Sequence, residues 1–229
     1  MNASEDGMAD KAGGQRGRRP QGQDAQPNEP TLTRERIAAT AVNMLDAKGL
    51  DGLTMRGLAE AMGSGVMSLY WHVENKEAVF DLALDTVLEY SAPTSLQDWR
   101  GDIVHVLDDW RATMLRHPWS ALLLPRRVLG PNILVRLERL STCLSAGGVA
   151  EADVNAAIWS LWNYVMGATV TRASFGPSDA DRAVSQERLA ELGSLYPFLG
   201  RSRLLLDDDW DGTFRRGLDF LLDGIAPKR

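Results

Sequence analysis

From Thr33 onward the apolar positions fall into helical register. Ile37, Ala41 and Leu45 recur every fourth residue, with Ala38 and Val42 beside them, so one stripe faces a core. Thr33 offers an N-cap oxygen and Lys48-Gly49 a C-terminal stop. After the turn Leu50-Asp51-Gly52-Leu53, Thr54 is a second N-cap, and Met55 to Met62 reads as a short helix ending at Gly63. Ser64 is expected to cap a third short helix over about 65–71, and Asn75 a fourth that runs to about Tyr90, short of Pro93. Further helices are predicted at about 95–116, 119–124, 129–146, 151–173, 180–192 and 207–223. Breaks at His117-Pro118, Pro125, Gly130-Pro131, Gly147-Gly148, Gly176-Pro177 and Tyr196-Pro197 separate them. No stretch alternates apolar and polar residues long enough for a convincing strand, and no internal repeat is present. The predicted fold class is all-α. Residues 1 to about 31 lack large apolar side chains and are rich in Gly, Gln, Asp, Asn and Pro, the composition of a disordered tail.

Composition narrows the function classes. The 229 residues have room for one small and one medium domain, and a 44% hydrophobic content with seven Trp is enough to build a core. A net charge of −6 argues against a surface that coats nucleic acid throughout, but it leaves room for a local DNA-reading face. The one cysteine, Cys143, excludes an internal disulfide and a cysteine-based zinc site; it reads as a small apolar helix residue rather than a redox sensor. No apolar run approaches the roughly 18 residues of a membrane span, and the N-terminus has no signal-peptide core, so a cytoplasmic protein is expected. Only three His are present, widely spaced, with no nucleophile elbow and no phosphate loop. Neither an enzyme nor a metal or cofactor site is expected.

A helix, a glycine-bearing turn and a second short helix between 54 and 72 match the geometry of a helix-turn-helix, although plain bundles also contain such triplets. Leu58, Ala59 and Met62 can face inward from the first helix, and Leu69 and Val73 from the second. The residue types decide the reading. Gly52-Leu53-Thr54-Met55-Arg56-Gly57-Leu58-Ala59-Glu60-Ala61-Met62-Gly63, followed by Leu69-Tyr70-Trp71-His72-Val73-Glu74-Asn75-Lys76, resembles the tetracycline-repressor family. The resemblance is specific over about 45 residues and elsewhere extends only to helix order.

The resemblance implies a DNA-binding domain over 32–76 and an effector-binding and dimerisation domain over 77–229. It implies that Arg56 sits near phosphate or a base edge, and that Ser68, Tyr70, Trp71 and His72 face DNA. Lys76 would contact phosphate at a helix N-terminus, and Thr54 would cap its helix and donate to phosphate. The competing readings are core packing for Tyr70 and Trp71 and helix C-capping for His72. Where the family's original members carry polar base readers, this chain has Gly65, Val66 and Met67, which cannot make bidentate bonds to base edges. Contact of Val66 and Met67 with thymine methyls remains open.

Arg16, Arg18 and Arg19, in the run Gln15-Arg16-Gly17-Arg18-Arg19-Pro20, resemble a minor-groove arm; the other reading is a solvated tail. In the body, His105, Trp110, Met114, His117, Trp159, Trp162, Asn163 and Met166 are candidate walls of an effector pocket, each also readable as plain core. The family's tetracycline-gripping Asn aligns loosely with Ile103, which implies a different and more apolar effector. Dimerisation is expected on the helices around 153–171 and 209–223, with a near-palindromic operator as partner. The segment 174–208 reads as a cover near the pocket or a surface loop. Glu77, Asp81, Asp85 and Glu89, spaced by four, read as one solvated acidic face rather than a metal or acid/base site. Three functions compete: a ligand-released repressor, a ligand-independent DNA-binding protein and an all-α enzyme.

Overall fold

Side-chain caps set where five of the ten α-helices among the described residues begin. The computed structural model describes residues 32–91, 98–127, 130–174, 179–202 and 209–227. The expected disordered tail and its Arg16, Arg18 and Arg19 lie outside them. In α1 (Arg34–Gly52) the Thr33 hydroxyl accepts from the Arg36 amide at 3.2 Å. Gly49 kinks this helix at φ 66°, a left-handed conformation natural to glycine, so the expected stop becomes a kink. Thr54 caps α2 (Met55–Ala61) through Gly57 at 3.0 Å, and Asn75 caps α4 (Lys76–Val87) through Ala78 at 2.8 Å. Ser64 does not cap α3 (Val66–Tyr70): Gly65 takes the cap position without a side chain to offer, and the Ser64 hydroxyl is buried without a hydrogen-bond partner.

The body follows as α5 (Trp99–Arg116), α6 (Pro118–Leu123), a 3₁₀ turn at Leu124–Arg126, α7 (Pro131–Ala146), α8 (Glu151–Ser174), α9 (Asp179–Glu191), a second 3₁₀ turn at Leu192–Ser194 and α10 (Trp210–Ile225). Every regular element among the described residues is helical. Two starts lie later than the apolar pattern predicts, because Asp98 and Asp209 act as caps. The Asp98 carboxylate accepts from Arg100 and Gly101, and that of Asp209 from Gly212. Aspartate favours a cap over a helix interior, since its short carboxylate competes for backbone amides.

Leu32–Arg229 forms one compact unit. Ile37, Ala41 and Leu45 of α1 are buried with Leu58, Ala59, Leu69 and Val73, as the stripe predicts. They close against Val79, Ala83 and Leu84 of α4. In the body, α5 supplies Ile103, Leu107, Trp110 and Met114, packed on α7 and α8. Burying each such side chain contributes about 1.5–3 kcal/mol. Helices α8 and α10 are keyed together by Tyr164, whose ring stacks on Phe214 at 5.2 Å and whose hydroxyl donates to the Phe214 carbonyl at 2.7 Å. Gly217 makes room, because a Cβ there would lie 2.2 Å from that hydroxyl.

Candidate functional site

The reader is built from α2, the turn at Gly63 and α3. Leu58 and Ala59 anchor α2 in the core and Leu69 anchors α3, which leaves the rest of α3 outward. Gly63 turns the chain at φ 66°, with its amide donating to the Glu60 carbonyl and the Ser64 amide to Ala59. The outward face is apolar. Met67 is 75% exposed, Tyr70 45% and Trp71 88%, and Ser68 is exposed beside them. Core packing of Tyr70 and Trp71 is thereby excluded. Three large side chains, two on α3 and one at its C-cap, stand exposed side by side. Val66 differs from Met67: it is half-buried and packs against the core.

The polar candidates surround this face. The exposed Thr54 uses a lone pair in its cap bond and keeps its proton to donate. Arg56 meets Glu60 at 2.9 Å, but both are well exposed, and such a pair holds too weakly to keep Arg56 from a phosphate. Lys76 lies in the first turn of α4, its ammonium 5.0 Å from the centre of the Phe80 ring. His72 is half-buried, and its carbonyl accepts from Arg34 at 3.0 Å. Sequence reading passed over Arg34; it braces the end of α3 against the start of α1 and belongs to no motif.

Helix α4 joins the reader to the body, and here the acidic row needs correction. Glu77, Asp81 and Asp85, though still partly solvated, form a docking seam, while Glu89 stays on the solvated face. Arg127, following the 3₁₀ turn, donates through Nε and Nη2 to the two Asp81 oxygens at 2.6 and 2.7 Å, and it pairs with Glu77. Asn132, in the first turn of α7, donates to Asp85 through its amide and side chain, both at 3.0 Å. Arg136 reaches the carbonyls of Leu88 and Glu89. Acids four apart share one helix face, and the body opposes that face with cations and amides. The partners lie about 45 residues downstream, outside any local pattern.

A second bridge ties α1 to the body. The Asp46 carboxylate lies 2.8 Å from His117 Nδ1 and accepts from Trp119 Nε1 at 2.7 Å. His117 therefore faces the reader. The other effector candidates divide. Trp110, Met114 and Met166 are buried, and Trp110 meets Trp162 edge-to-face at 4.9 Å. Trp159 and Asn163 stand on the exposed side of α8, and His105 is exposed on α5. A groove of about 560 Å³ opens along α7 beside Leu134, Leu137 and Glu138. Arg136 lies two residues from Leu134 and from Glu138, a helical rotation of about 200°, and so on the opposite side of α7. Burial pushes the Cys143 thiol above its ordinary range, which suits an inert core residue. Among the described residues no cluster of His, Cys, Asp and Glu could hold a metal, and no helix is long and apolar enough to cross a membrane.

Two family descriptions match this chain: residues 37–83 match bacterial regulatory proteins of the tetR family, and residues 92–229 match the tetracyclin repressor-like C-terminal domain. The chain belongs to the tetR family. An HTH-type transcriptional regulator of Saccharopolyspora erythraea is 38% identical over 203 residues, 86% of each chain. The HTH-type transcriptional repressor DrrR1 of Streptomyces coeruleorubidus is 35% identical over 225 residues, 91% of this chain and 81% of the relative. The tetR-family protein ActR of Streptomyces coelicolor, solved in complex with actinorhodin, superposes with a TM-score of 0.74 at 31% identity, over 85% of this chain and 95% of ActR. As a tetR-family protein, this chain is a DNA-binding transcriptional regulator with an N-terminal helix-turn-helix and a helical C-terminal domain.

Proposed function

We propose that the chain is a cytoplasmic, non-enzymatic repressor that binds a near-palindromic operator as a homodimer and leaves it when a small molecule enters the body. The seam along α4 is the observation that carries this reading. Helix α4 packs on α1 of the reader, its acids Glu77, Asp81 and Asp85 are held by Arg127 and Asn132 of the body, and Arg136 holds the Leu88 and Glu89 carbonyls at its end. A displacement of α7 or of the turn before it moves α4, and with it the spacing of two readers on their half-sites. The ActR complex with actinorhodin supports a small organic effector.

In this reading 32–76 is the reader and 77–229 the body. Met67, Ser68, Tyr70 and Trp71 face the major groove, Val66 its edge, and Thr54, Arg56, His72 and Lys76 the backbone. Arg16, Arg18 and Arg19 form a minor-groove arm. Trp110, Met114, Trp162 and Met166 line the effector region, with His105 at its rim. Trp159 and Asn163 belong to the dimer face of α8 instead, and His117 to the bridge. The test is selection of bound fragments from a random DNA pool, followed by a gel shift of the selected fragment with and without an organic extract of the source culture. The expected result is a two-fold-related sequence released by the extract. An asymmetric site, or a complex that no extract releases, would contradict the reading.

A further inference from the structure

The outward side of α3 carries an apolar surface that packing does not explain. Leu69 fixes the helix to the core and Val66 packs against it, while Met67, Tyr70 and Trp71 stand exposed. Trp71 follows Met67 by four residues and keeps helical backbone angles, φ −72° and ψ −20°. The two side chains therefore lie on one side of the helix, a turn apart, with Tyr70 between them. Four residues of helix rise about 6 Å, and successive bases of one DNA strand about 3.4 Å. The pair is long enough to cover two to three base pairs.

Few polar groups accompany this surface. Ser68 and Tyr70 each bring one hydroxyl, Gly65 brings no side chain, and the Ser64 hydroxyl is buried. From Gly65 to Trp71 no side chain can form the paired hydrogen bonds by which Arg takes guanine, or Asn and Gln take adenine. The cations sit beside the apolar strip: Arg56 well exposed on α2, and Lys76 in the first turn of α4. An apolar strip flanked by cations complements a major groove, whose walls are phosphates and whose floor is base edges. That floor offers one apolar group, the C5-methyl of thymine. Over a G·C pair, Met67 and Trp71 would cover the guanine acceptors and the cytosine amino donor without pairing them, which costs binding.

We infer, on the reading of α3 as the major-groove element, that Met67 and Trp71 are its specificity-determining residues and that they cover thymine methyl groups. Each half-site then presents two thymines within about three consecutive base pairs under α3. Withdrawing one methyl from water contributes about fourfold in affinity. Specificity comes from shape and desolvation here, and the hydroxyls of Ser68 and Tyr70 add single hydrogen bonds.

The selected operator is synthesised with thymine and again with deoxyuridine in both half-sites. Uracil keeps the hydrogen-bonding edges of thymine and lacks only the methyl. Binding of the full chain is followed by fluorescence anisotropy. The uracil form is expected to bind about tenfold more weakly or worse, and uracil placed only outside the half-sites to change nothing. In Met67→Ala and in Trp71→Ala the uracil penalty shrinks at least threefold, because the side chain that covered a methyl is gone. Met67→Leu, which restores an apolar cover, keeps the penalty. Equal binding of the two forms overturns the inference, and so does a selected half-site without thymines under α3. Either result leaves the major-groove reading standing if Trp71→Ala still weakens the selected operator. A uracil penalty of the same size in the wild type and in both alanine variants also overturns it, since the methyls would then act through DNA shape. If both alanine variants bind the selected operator as tightly as the wild type, the inference and the major-groove reading fall together.

Discussion

At the scale of single residues, the reader separates side chains that fold the protein from side chains that have no folding role. Leu58, Ala59 and Leu69 are sealed in the core, whereas Met67, Tyr70 and Trp71 stand in water. Trp71→Ala is therefore expected to leave Tm within about 1 °C while weakening operator binding at least tenfold, about 1.4 kcal/mol. Thermal melts and fluorescence anisotropy on the selected operator check both halves. Gly63→Ala is expected to do the reverse. Nothing lies within 4 Å of a Cβ at this position, so its cost is conformational: roughly 1 kcal/mol for a left-handed alanine, or a Tm lower by about 2–4 °C. DNA affinity in the folded fraction should be unchanged. The outward set was readable from the spacing of Leu69 and Val73, which fixes the face of α3 that must be buried. The half-buried state of Val66 was not, because a five-residue helix is too short for its periodicity to assign each position.

At the scale of elements, α4 is the piece whose sequence reading changed most. A row of acids every fourth residue is indistinguishable, in one sequence, from a solvated helix face. What makes it a seam is Arg127 and Asn132, brought opposite it by the packing of the body on α4. The caps at Thr33, Thr54 and Asn75 were legible because each bond spans three residues. Ser64 misled because it has the right side chain one position too early, with Gly65 at the cap. Arg127→Met removes the bonds to Asp81 and Glu77 together. Both acids are well over a third exposed, so the expected stability loss is only about 1 kcal/mol. The larger expected effect is on coupling. Operator binding persists, but the extract concentration needed to release it rises at least fivefold in the gel shift. An unchanged release curve would separate the seam from the switch.

At the scale of the whole molecule, α8 and α10 present a face that the described residues leave exposed. Trp159 is 61% exposed on α8 and Phe220 70% exposed on α10, while Phe214, Leu218 and Leu222 hold α10 to the body from its other side. Two copies joined through such a face form an isologous dimer. Phe220→Asp is expected to shift the sedimentation profile from dimer to monomer and to abolish tight operator binding, with helicity by circular dichroism retained. The all-α class and the order of helices were legible from hydrophobic period and breakers. The pairing of helices across the body was not, since it depends on contacts such as Tyr164 with Phe214 and Gly217, about fifty residues apart. The most direct test of the account is a footprint of the wild-type protein on its selected operator. Two protected half-sites related by a two-fold axis, about one helical turn or more apart and both lost in Trp71→Ala, are the predicted result. A single asymmetric footprint, or one that survives Trp71→Ala unchanged, would contradict it.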